Sequence, residues 1–218
     1  APRQVLLYTT TEKALLRSLV GVRILPGIID DSERDMDNTG YTKILRPGNI
    51  LGHNSDTDKW YIIWASKLSA AEAAGQTVLS VTAADGNTHF TASDPDGTAF
   101  NVKIVGPAGM PAEFDCGAIV SVAANTITIT NALPVEYPSG SYVYRAPATD
   151  YGQCIAQGGL YGEASVDDGL GGDADASIEV LTHGIVDESE LLNATDLQIG
   201  QLRDATVGDI AHAMTLES

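Results

Sequence analysis

Basic residues are scarce in this 218-residue chain: 12 Lys and Arg stand against 29 Asp and Glu, a formal net charge of -17. A surface of that sign repels phosphate backbones, which excludes nucleic acid as an expected partner. Long apolar runs are missing as well. No stretch approaches the ~20 residues that span a bilayer, and Ala1-Pro2-Arg3-Gln4 lacks the apolar run and cleavage site of a secretory leader. The expectation is no membrane partner and assembly in the cytoplasm. Cysteine is limited to Cys116 and Cys154, too few and too far apart for a disulfide framework or a Cys-x-x-Cys metal pair. Aromatics are only 6% of the chain, yet 44% of it is hydrophobic, enough for packed cores.

What is abundant is turn chemistry. Gly at 22 and Pro at 9 residues punctuate short runs rich in Val, Ile, Thr and Tyr, so the expected class is mainly β. Residues 1–42 read as an extended arm: Val5-Leu6-Leu7-Tyr8 and Val20 to Leu25 have strand content, separated by a possible helical turn over Glu12 to Leu19. Asp30 to Gly40 is polar and acidic, the pattern of an exposed linker. Lys43 to Gly52, a polar turn, and Lys59 to Trp64 then begin a small barrel or meander. Residues 66–147 carry their own set of strands, at Thr77–Val81, Phe100–Val105, Ala118–Val122, Thr126–Thr130 and Tyr142–Tyr144. That is a complete small β-module, with two turns of helix expected over Leu68 to Ala74 before Gly75. Ser177 to Val186 alternates as a half-buried strand does, and the tail, with caps at Asp187 and Thr195, predicts short helices over 193–218.

Charge is unevenly spread. Residues 1–25 carry four bases and one acid, whereas Glu163 to Glu179 holds six acids and no base. An arm with that charge suits an acidic partner surface. No nucleophile elbow, His-Glu-x-x-His helix or phosphate loop is present, so no catalytic residue, cofactor site or metal site is assigned. Gly169-Leu170-Gly171-Gly172-Asp173-Ala174 has dinucleotide-like glycine spacing but follows no strand and opens no helix. Asp168 and Glu179 span the length of a calcium loop, but Leu170 and Gly172 stand where oxygen ligands belong, so a solvated flexible loop is expected. His53, His89, His183 and His212 form no ligand pattern. Trp60 and Trp64, four apart in one run, share a face, either a sugar platform or the filling of a barrel or subunit contact.

Lys43-Ile44-Leu45-Arg46-Pro47-Gly48-Asn49-Ile50-Leu51-Gly52, Lys59-Trp60, Asp150 to Ala156 and Ser177 to Val186 together resemble the lambda-like head decoration proteins of tailed bacteriophages. The resemblance covers residues 43–65 and 148–192. It implies a discontinuous β-rich decoration core interrupted by an inserted β-barrel or β-sandwich domain at 66–147. It also implies a non-enzymatic role: a viral structural (cement) protein that binds the major capsid protein as homotrimers on the outer surface of the expanded virion, holding the head against internal DNA pressure. Under that reading Val5, Leu6, Leu7, Val22, Ile24 and Leu25 are the expected capsid-contact residues, adding to a sheet edge of the shell. Pro47, Trp60 and Trp64 are assigned to the core and trimer contacts. The rival reading is a β-module that binds host-surface glycans or receptors through the inserted domain, which predicts solvent-exposed Tyr137, Tyr142 and Tyr144.

Overall fold

The computed structural model describes residues 15–82, 89–90, 100–146, 155–192, 194–204 and 213–217. The chain starts with β1 (Leu16–Ile29), β2 (Ile44–Leu45), β3 (Ile50–Asn54) and β4 (Lys59–Ile62). It continues through β5 (Ala65–Lys67), β6 (Val78–Ser80), β7 (Asn101–Val105), β8 (Phe114–Ala123), β9 (Thr126–Ile129) and β10 (Tyr142–Ala146). The last elements are β11 (Gly158–Leu160), β12 (Ala164–Ser165), β13 (Ala176–Asp187), helix α1 (Asp196–Arg203) and β14 (Ala213–Glu217).

These strands form two six-stranded sheets, each of which closes on itself, and a separate two-stranded sheet of β2 with β12. In the first, the order β1-β4-β3-β11-β13 returns to β1, which runs antiparallel to β13 and meets β4 in parallel at Ile29 and Trp60. Closure removes the free edges that an open sheet of this size would present. Alternate residues then serve two cores, because successive side chains of a strand point to opposite faces. Leu51, Trp60, Ile62, Leu160, Ile178, Val180 and Ile29 share one cluster, while their neighbours Ile50, Ile63 and Leu181 join a second. That second cluster is covered by Ile199 and Leu202 of α1 and by Met214 and Leu216 of β14. Burying each such side chain contributes about 1.5–3 kcal/mol, which secures a five-residue strand at the end of the chain.

The second sheet, ordered β5-β10-β7-β8-β9-β6, closes through the bridge of Leu68 to Val81. Its interior holds Leu79, Phe90, Val102, Ile104, Cys116, Ile119, Ile127, Ile129, Leu133, Tyr137 and Val143. The chain enters this barrel at β5 and leaves it at β10, and these two strands pair antiparallel. Entry and exit are therefore neighbours, which is what a domain inserted at one surface point of another requires.

Close backbone approaches fix where glycine must stand. A Cβ at Gly27 would lie 2.6 Å from Cδ1 of Trp60, so the indole lies against a notch that only glycine leaves. At Gly48, φ is +91° and a Cβ would collide with the carbonyl oxygen of Glu190. Gly48 also donates to Leu160 and accepts from Leu192, stitching three segments at one point.

Several expectations are corrected. The arm does not extend through residue 42: Leu16–Ile29 is a single strand, with no helical turn over 16–19, because β13 offers it a partner along most of its length. Asp30 to Gly40 is no exposed linker, since Glu33 and Asp35 are 1% and 0% exposed. Leu68 to Ala74 forms bridges rather than a helix, Leu68 with Val81 and Glu72 with Tyr137. Among the described residues the tail is helical over Asp196–Arg203, and Ala213–Glu217 is a strand parallel to β13. The two caps stand as read: the Asp187 side chain accepts from Ser189 N, and Thr195 forms a capping box with Gln198.

Candidate functional site

The acidic segment after β1 takes its cations from both barrels, Arg46 and Lys59 from the first and Arg145 from the second. Asp35 is fully buried and takes a fork from Arg46, with Nε 2.7 Å from Oδ2 and Nη2 2.8 Å from Oδ1. Asn49 Nδ2 adds a third donor at 3.1 Å. Burial alone would raise this carboxyl, but the hydrogen bonds from Arg46 and Asn49 outweigh it, so its pKa lies below the ordinary value.

Glu33 joins the barrels. Its Oε1 accepts from Arg145 Nη2 of β10 at 2.7 Å, and its Oε2 accepts from Ile62 N at 3.1 Å. Arg145 also donates to Ile62 O at 3.1 Å and stacks over the Phe100 ring at 4.2 Å. Here burial wins, and the Glu33 pKa is raised in spite of Arg145. His89 lies against Trp64 at 4.8 Å between ring centroids, with Nδ1 3.0 Å from Ala65 O and Nε2 3.3 Å from Asp37 Oδ2. Further out, Lys67 pairs with Asp196 at the start of α1, 2.7 Å away, and Leu197 packs against Tyr144, Val105 and Ala146. The inserted barrel is thus held by buried polar contacts as well as by an apolar seam.

Asp30, Asp31 and Asp175 offer carboxylate oxygens within 4.8 Å of one another, the one grouping of metal-ligand type among the described residues. The Lys59 ammonium sits against it, 2.9 Å from Asp30 and 2.9 Å from Asp175. Burial pulls the Asp30 carboxyl up, and hydrogen bonds from Ser32 and Lys59 pull it further down, leaving it lowered. For Lys59, burial acts to lower the pKa, but the two aspartates prevail and it is raised. A bound cation would have to displace an ammonium that this pair of carboxylates already holds.

The same neutralisation recurs throughout. Every basic residue from Arg34 onward pairs with a carboxylate: Arg34 and Lys43 with Asp173, Arg46 with Asp35, Lys59 with Asp30, Lys67 with Asp196, Lys103 with Glu113, Arg145 with Glu33 and Arg203 with Glu188. The other four, Arg3, Lys13, Arg17 and Arg23, all lie in the first 25 residues. The acidic stretch is therefore not a loose solvated loop where it meets Lys43 and Arg34.

Of the residues singled out in the sequence, Val5, Leu6 and Leu7 lie outside the described residues. Val22, Ile24 and Leu25 are half-buried on β1, the first two packed on the core that α1 covers. Val22 and Ile24 thus spend part of their surface on that core, and all three keep part of it accessible. Pro47 is half-buried beside Gly48, and Trp60 and Trp64 are buried in one cluster, 3% and 1% exposed. The indoles therefore fill the first barrel and form no sugar platform. The tyrosines of the rival glycan reading are placed inward too: Tyr137 and Tyr144 are buried, and Tyr142 is half-buried against Asp196 and Lys67. His53 contacts Asp58 and the Trp60 ring, and His183 contacts Thr182; His212 and Cys154 lie outside the described residues. No helix among the described residues is long and apolar enough to cross a membrane. Compared with protein-family models, curated proteins and solved structures, the chain matches none.

Proposed function

We propose that this chain is a capsid decoration protein that binds the outer surface of an expanded phage head, its partners being the major capsid protein and two further copies of itself. One observation carries the reading. The segments that resemble lambda-like decoration proteins, residues 43–65 and 148–192, are separated by some 80 residues of sequence yet pair with one another, β3 with β11 and β2 with β12. With β13 beside β11, they supply four strands of the first barrel, which β1 closes, while the intervening residues fold as a second barrel with its own core. The resembling segments are thus neighbours in the fold although they are distant in sequence. The role is structural and needs no reacting group, consistent with cations and carboxylates spent on each other.

The test is co-sedimentation with purified expanded heads that lack decoration. Saturation at about one copy per capsid subunit, the stoichiometry of trimers at every three-fold and quasi-three-fold position, supports the reading. Absence of the protein from the pellet at all concentrations refutes it. The arm can be tested separately by removing residues 1–14, because a cut at residue 25 would also remove most of β1.

A further inference from the structure

The loop between β12 and β13 is built to expose one leucine. Leu170 is 93% exposed, the most exposed large apolar side chain among the described residues. It stands between Gly169 at φ +76° and Gly171 at φ +94°, conformations that a side chain would strain, while a Cβ at either would meet nothing. Glycine is thus required here by backbone direction and not by crowding. The loop is also fastened from within. Asp167 Oδ1 accepts from Gly169 N at 2.7 Å, and Asp168 Oδ1 accepts from Leu170 N and Gly172 N at 2.7 and 2.8 Å. The Lys43 ammonium, 129 residues from Gly172 in sequence, donates to Gly172 O at 2.6 Å and Gly171 O at 3.2 Å. It also pairs with Asp173 Oδ1 at 2.8 Å, while Arg34 holds the other Asp173 oxygen at 2.7 Å.

A side chain exposed by chance on a mobile loop would be ordered only on binding, at an entropic cost. Here the loop backbone that carries it is held by internal hydrogen bonds in the folded protein, and that pre-organisation favours use as a contact. Its surroundings define the partner: Glu163 to Glu179 holds six acids, and the three bases that meet them, Lys43, Arg34 and Lys59, leave the neighbourhood acidic. We propose that the Gly169–Gly172 loop is a preformed docking knob, with Leu170 entering an apolar socket rimmed by basic side chains on the outer face of the capsid protein, and with Lys43 as its positioning residue. The inference rests on the capsid-binding reading above and adds a second contact to that of the arm.

The experiment measures binding of full-length wild type, L170A, L170D, K43M and K43R to undecorated expanded heads. L170A is expected to bind on the order of 10-fold more weakly and L170D about 100-fold or more, the scale of losing a buried leucine side chain. Their thermal midpoints should match wild type, since the side chain makes no intramolecular core contact. K43M should weaken binding and speed hydrogen exchange at the Leu170 and Gly172 amides, with K43R restoring both. Folded L170D binding as tightly as wild type overturns the knob while leaving the capsid reading intact. Failure of wild type itself to bind overturns the capsid reading and the knob with it.

Discussion

Replacing Asp35 by Asn tests the account of the buried acidic segment directly. The substitution keeps the side-chain volume but removes the charge, and it points an amide group at donors already supplied by Arg46 and Asn49. Breaking one partner of a fully buried ion pair costs about 3–5 kcal/mol. Here the Arg46 side chain is 36% exposed and its guanidinium can rehydrate, which places the expected cost at the lower end, about 2–3 kcal/mol. For a chain of this size that is a fall of about 4–12 °C in thermal midpoint. The pH dependence carries the mechanism. The Asp35 carboxyl is lowered in the folded state, so its contribution is fully present above the ordinary carboxyl value of about 4 and is lost as the pH falls through the folded value. Urea unfolding of wild type and D35N should therefore differ most at pH 7 and converge toward pH 2. A D35N protein within about 0.5 kcal/mol of wild type at pH 7, or a gap that stays constant in acid, would refute the argument that an ionised carboxylate organises the 35–49 loop.

Four further outcomes follow from particular contacts. G27A forces a Cβ to 2.6 Å from the Trp60 ring and should cost about 1–3 kcal/mol in denaturant unfolding, much of it recovered when Trp60 is replaced by Leu; a neutral G27A would mean that the notch is unimportant. Cys116 is buried, and burial first, then Asp115, pushes its thiol up to about 12; in a C154S background it should resist a thiol reagent until the protein is unfolded, and rapid native labelling would contradict the closed second barrel. T195A removes the capping box of α1 and should cost about 1 kcal/mol, whereas K67A, at a pair with 40% and 80% exposed side chains, should change stability by no more than about 0.5 kcal/mol.

What the sequence disclosed was what neighbours along the chain decide. Alternation located β9 and β13, Gly-containing turns located most strand ends, and the caps at Asp187 and Thr195 were legible because a cap is satisfied within three residues. Of the strand β1 only Val20 to Leu25 was read as strand-like, with a helical turn expected before it, and it is the partner β13 that makes Leu16–Ile29 continuous. β14 was hidden because two apolar residues two apart fit a frayed helix as well as a strand. The buried acids were missed for a deeper reason. A carboxylate reads as solvated until its counter-ion is known, and Arg145 lies 112 residues from Glu33. The Gly-Leu-Gly-Gly stretch, rejected as a dinucleotide loop, likewise acquired a structural meaning only when Lys43 was found beside it.

The pairing of cations also bears on how the arm and the inserted domain divide the work. If bases were scattered freely over the surface, the excess of acid would be a diffuse property of the whole molecule, and no segment would be electrostatically distinct. Instead the eight bases from Arg34 onward are each held by a carboxylate, while residues 1–25 keep a formal excess of three positive charges. Of the other four bases, Arg17 and Arg23 lie on β1 in the first barrel, and Arg3 and Lys13 precede it in sequence. If, as proposed above, the arm meets acidic groups and the Leu170 loop basic ones, the two contacts together would fix orientation as well as affinity, because inverting the subunit would set like charges against each other at both places. A symmetric assembly multiplies that preference by the number of copies. Added salt should therefore weaken attachment by loosening both contacts together, and neutralising Arg3 and Lys13 should remove only the arm's share of that salt dependence.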